Sequence, residues 1–82
     1  MQLQEFDAII DRMTLALETA KNLGQSIEEA KILYQMNEFL PDDLQLSLNE
    51  IDDESEAKQI VTKYQSQIKS KISEFREQLI LN

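Results

Sequence analysis

Residues 53–81, DESEAKQIVTKYQSQIKSKISEFREQLIL, decide the fold. Apolar side chains recur there at Ala57, Ile60, Val61, Tyr64, Ile68, Ile72, Phe75 and Leu79. Nearly every step is three or four residues, so these positions form one stripe on an α-helix of ~3.6 residues per turn. Neither glycine nor proline interrupts the stretch. Asp52 or Asp53 is placed to cap it, and Asp53-x-x-Glu56 has the spacing of a capping pair. At ~1.5 Å rise per residue the helix would be roughly 40 Å long, and the rest of the chain must cover its stripe.

Upstream, residues 2–23 read as a first helix. Leu3, Phe6, Ile10, Met13, Leu17 and Ala20 follow alternating steps of three and four, and Ile9, Ala16 and Leu23 widen the apolar face beside that seam. Gly24 stands where a left-handed residue would end the helix. Ser26-x-x-Glu29 then matches a capping box for a second helix from Ile27 to about Phe39. That helix turns Ile27, Ala30, Leu33, Tyr34 and Leu40 inward. Asn37 shares this face, and one hypothesis, not the leading one, makes it a buried polar residue that fixes register. Met36 falls off it and is expected at an interface. Tyr34, Tyr64 and Met13 lie on apolar stripes and read as core.

Pro41 ends the second helix, having no amide donor and clashing with the preceding turn. Between it and Ile51 two patterns compete. Leu44, Leu48 and Ile51 recur at helical spacing, whereas Leu44, Leu46 and Leu48 alternate as in a strand. With no other strand to pair with, helical turns are the preferred reading.

Composition agrees with an all-α chain. One glycine and one proline in 82 residues cannot supply the turns of an all-β fold. The expected architecture is a single domain over residues 1–82, a small antiparallel bundle of three or four helices with a long C-terminal helix. No apolar run approaches the ~18 residues that span a bilayer, and the N-terminus is acidic rather than basic. Neither a membrane segment nor a signal peptide is expected, and a cytoplasmic location is the default.

The chain has no cysteine and no histidine, so neither a disulfide nor a zinc site is expected, and the most common general base is missing. Ser66-x-x-Lys69 matches a penicillin-binding string but lacks its other motifs and a domain large enough to hold them. A thin bundle also leaves little room for a pocket that would shift carboxylate pKa values. The chain therefore reads as non-catalytic and without cofactor or metal.

The conspicuous feature is an acidic block: Glu38, Asp42, Asp43, Glu50, Asp52, Asp53, Glu54 and Glu56, with no basic residue between them. Three readings compete. Acids before and within the first turn of a helix complement its dipole, and Lys58, Lys63, Lys69, Lys71 and Arg76 follow. Alternatively, the block docks on a basic protein. A calcium loop, the third reading, would need a glycine and a ligand spacing that are missing. The formal net charge of −8 disfavours direct contact with nucleic acid.

The first helix and the start of the second resemble the small subunit of exonuclease VII, an acidic helical-hairpin protein. Phe6, Ile10, Met13 and Leu17 match its first-helix spacing, and Ser26-Ile27-Glu28-Glu29-Ala30 its second-helix start. The resemblance stops after Met36, because that family has no Pro-Asp break, acidic block or long third helix. It does not define the whole chain.

Two functions are thus expected. In one, the acidic surface docks on a basic nucleic-acid-handling protein and inhibits it, as a phage anti-CRISPR or anti-restriction protein would. In the other, Ile68, Ile72, Phe75 and Leu79 form a seam that pairs with a partner helix. That would make the chain an accessory subunit, an escort chaperone or a homodimer.

Overall fold

The computed structural model describes residues 1–51 and 53–81, so the capping role expected of Asp52 lies outside the described residues. Three helices are present among them: α1 (Leu3–Asn22), α2 (Ser26–Phe39) and α3 (Glu54–Leu81). The molecule measures 40 × 24 × 16 Å. Its longest dimension is close to the length of α3.

The α1–α2 turn is set by Gly24, whose φ of 70° lies in the left-handed region. Gln25 N–H donates to the Ala20 carbonyl (2.9 Å) and Gly24 N–H to that of Lys21 (3.1 Å). This is the paired bonding of a Schellman motif, and it satisfies carbonyls that the helix end would otherwise orphan. The expected capping box does not form. With Gln25 consumed by the turn, α2 begins at Ser26, one residue too early for that serine to cap it, and Gln25 makes no side-chain cap bond. At α3 the expectation holds: Glu56 N–H donates to Asp53 Oδ2 (3.3 Å).

Phe6, Leu17, Leu33, Met36, Leu40, Leu44, Ile68 and Ile72 make one buried cluster drawn from all three helices and the α2–α3 connection. Met36, expected at an interface, is 2 % exposed and belongs to this core. Phe6 packs on Phe39 (5.7 Å between ring centroids) and Phe75 (5.4 Å), which places the start of α1 and the end of α2 beside the last third of α3. Ala30 and Ile60, in the early halves of α2 and α3, line one groove. The two contacts together require α2 and α3 to run in the same sense. An antiparallel bundle, which would join them by a short turn, does not describe this pair.

The chain between them must therefore travel back along α2. Leu40 takes an extended conformation (ψ 151°), as the residue before a proline prefers. One turn follows, with Leu44 N–H bonded to the Pro41 carbonyl at 2.9 Å, and then residues 45–51 form an irregular, largely extended strap. Helical turns were expected throughout 41–51; only the first few residues adopt one. The alternating pattern prevails because Leu44, Leu46 and Leu48 point inward while Gln45, Ser47 and Asn49 are exposed.

No neighbouring strand is needed, because Asn37 serves as one. Its side-chain NH2 donates to the Leu46 carbonyl (2.8 Å) and its Oδ1 accepts from the Leu46 N–H (2.8 Å). Gln45 adds a cap, its side-chain amide donating to the Leu40 carbonyl (2.7 Å) at the end of α2.

Candidate functional site

The acidic residues follow the strap. Asp42 and Asp43 sit in the turn after α2, and Glu38 of α2 and Glu50 of the strap line one groove. Asp53, Glu54 and Glu56 begin α3. Because the strap runs back along α2 from Leu40 toward Ala30, the block is an edge with two ends rather than one cluster. Glu54 pairs with Lys58 (3.8 Å). Among the described residues Glu38, Asp42, Asp43, Glu50, Asp53 and Glu56 make no ion pair. No group of three carboxylates is gathered closely enough to hold a metal ion among the described residues.

The middle of this edge is a groove. It holds about 480 Å³ between α2, the strap and the early part of α3; its apolar lining is Ala30, Leu48, Ile51 and Ile60, and its polar lining includes Lys31, Gln35 and Asn49 as well as Tyr34, Glu38 and Glu50. The sequence suggests little room for a pocket. That expectation assumes helix packed on helix, whereas here an extended strap covers α2 incompletely. Tyr34 and Glu38 are one helical turn apart. Hydrogen bonding to the Glu38 carboxylate, then that group's charge, burial and the Glu50 charge raise the Tyr34 pKa above the ordinary phenol value. Two unneutralised carboxylates thus act on one phenol.

The apolar seam is placed differently. Ile68 is fully buried and Ile72 is 7 % exposed, both within the chain's own core. Phase and length of the stripe fit α1, α2 and the strap, so Phe75 packs on Phe6 and Phe39, and Leu79 is half-buried beside them. Large apolar side chains left exposed lie in two places: at Leu15 and Leu23, on and just after α1 (68 % and 66 %), and at Ile80 and Leu81, at the end of α3 (48 % and 82 %). Leu15, with Ala16, Ala20 and Ile32, borders a shallow apolar depression.

One pairing had no signal in the sequence. Arg76 Nε and Nη2 donate to Asp7 Oδ1 and Oδ2 at 2.9 and 3.1 Å, joining the start of α1 to the late part of α3. The Arg76 hydrogen bonds hold the Asp7 carboxyl below its usual range. No helix among the described residues is long and apolar enough to cross a membrane. No protein family, no curated protein and no solved structure matches this chain.

Proposed function

We propose that the chain is a non-catalytic protein-binding module. Its acidic edge docks on a basic, nucleic-acid-handling protein and blocks it, in the manner of a phage anti-restriction or anti-CRISPR inhibitor. One observation carries this reading: six exposed carboxylates from Glu38 to Glu56 have no cationic partner among the described residues. Helix capping accounts for Asp53 and is compatible with Glu54 and Glu56, but it offers nothing for Glu38, Asp42, Asp43 or Glu50. An edge of like charge would speed encounter with a basic surface and make binding salt-sensitive.

The test is capture of partners from the source lysate on the wild-type chain and on a variant with Glu38, Asp42, Asp43 and Glu50 changed to their amides. None of the four caps a helix, so the fold should survive. A basic protein held at low salt, released at high salt and lost from the variant is the expected result. Equal retention by the variant would refute the acidic-edge reading. A second reading, pairing with a helix of another chain, draws on the exposed Leu15 and Leu23. It predicts a salt-resistant complex or dimer by light scattering, abolished by Leu15→Glu.

A further inference from the structure

The groove between α2 and the strap has a composition that bare acidity does not explain. Its lining combines Ala30, Leu48, Ile51 and Ile60 with the half-buried Tyr34 and the exposed carboxylates of Glu38 and Glu50. Lys31 also borders it, but its ammonium lies 3.8 Å from Glu28. With two carboxylates, Glu38 and Glu50, against one ammonium, Lys31, the lining carries a net negative charge, and its apolar residues lie alongside. A volume of about 480 Å³ has room for an arginine side chain together with part of the segment that carries it.

We propose that this groove is an arginine-binding site, taking one arginine of an extended segment of the basic partner. The inference rests on the acidic-edge reading and assigns its anchor point. Three features fit that occupant. Ile51, Ile60 and Leu48 match the aliphatic stem, which long cationic side chains bury while their heads stay polar. The Tyr34 ring is available for a guanidinium to stack on. Glu38 comes from the helix and Glu50 from the strap, and both line the groove, which suits a planar group with five donors better than an ammonium, a point charge with a single centre.

The groove also depends on the strap's register. Asn37 fixes Leu46, from there the alternation brings Leu48 inward, and Glu50 follows two residues on as a second carboxylate of the groove lining. A single bidentate amide therefore positions half of the site. Asp42, Asp43, Asp53 and Glu56 do not line the groove and serve as an internal control.

The experiment is a 1H–15N NMR titration of the full chain with acetyl-Gly-Arg-Gly-amide. Parallel titrations use the citrulline peptide, which keeps the shape but not the charge, and the lysine peptide. Saturable shifts centred on Tyr34, Glu38, Leu48, Glu50, Ile51 and Ile60 are expected for arginine. Lysine should bind more weakly and citrulline should produce no saturable shifts. The Glu38→Gln/Glu50→Gln variant should lose about 10-fold or more in affinity, since two charge-assisted contacts disappear. Asp42→Asn/Asp43→Asn should lose less than about 3-fold, the screened long-range share.

Circular dichroism of both variants checks that helicity is kept, which the exposure of all four side chains favours. Citrulline binding as well as arginine, lysine matching arginine, or shifts spread evenly over Asp42, Asp43, Asp53 and Glu56 would each overturn the assignment. The acidic-edge reading is decided separately by partner capture. A partner lost from the amide variant while the arginine peptide fails to bind would remove this site and leave that reading standing.

Discussion

Replacing Asn37 by alanine tests the strap most directly. Asn37 is 4 % exposed, and its amide makes both of its hydrogen bonds to the Leu46 main chain, each 2.8 Å. A net contribution of about 1 kcal/mol per bond gives a loss of about 2 kcal/mol if water reaches the freed groups. If the half-buried strap stays in place, the Leu46 N–H and C=O are left unpaired and the loss rises to about 3–4 kcal/mol. A domain of 82 residues has about 4–12 kcal/mol in total, so the change is large either way.

Urea unfolding followed by circular dichroism should show a lowered midpoint, and the Leu46 amide should exchange faster with solvent. Asn37→Asp refines the test. Its carboxylate still accepts from the Leu46 N–H but cannot donate to the carbonyl until protonated. Its folded pKa is therefore expected to be raised. The lost stability should return as pH falls through that raised value, and be fully regained below the unfolded carboxyl value of about 3.9. A loss under about 0.5 kcal/mol in Asn37→Ala, with Leu46 exchange unchanged, would refute the account of the strap.

Gly24→Ala should cost about 1 kcal/mol, because its φ of 70° strains any Cβ-bearing residue although no atom lies within 4 Å of the added carbon; an unchanged melting midpoint would contradict the Schellman turn. Ile68→Ala should cost about 2–5 kcal/mol in urea unfolding, since the side chain is fully buried among all three helices; a loss below about 1 kcal/mol would mean that α3 keeps its stripe for another chain. In a Tyr64→Phe background the remaining Tyr34 should ionise above the usual phenol range in an ultraviolet pH titration, and Glu38→Gln should move it back down. As Asp7 is held low by Arg76, its contribution is present above the unfolded carboxyl value of about 3.9 and disappears as pH falls through the folded one. Asp7→Asn should therefore flatten acid unfolding below about pH 4, measured by circular dichroism.

The acidic edge could be recognised as a block of residues, but its shape could not. Glu38 lies one helical turn from Tyr34, but Glu50 comes to the same groove only because the strap returns along α2. The seam at Ile68, Ile72, Phe75 and Leu79 was legible as an apolar stripe, but a stripe does not say whether its cover comes from the same chain. The strap was ambiguous because Leu44, Leu46, Leu48 and Ile51 satisfy two periods at once. Asn37 settles which one operates, through bonds to a residue nine positions away.

What the sequence determined by itself is everything decided within about one helical turn. The three-and-four spacing from Ala57 to Leu79 makes α3. Gly24 closes α1 by adopting a conformation closed to most other residues, Pro41 denies α2 another turn, and Asp53 bonds a free amide at the start of α3. Tertiary structure alone decided the common direction of α2 and α3, the burial of Met36, the Asp7–Arg76 pair and the groove at Tyr34. These depend on which surfaces meet after the chain has turned back on itself. Periodicity constrains the face a side chain occupies on its own helix, whereas contact between helices is chosen by the packing of the whole core.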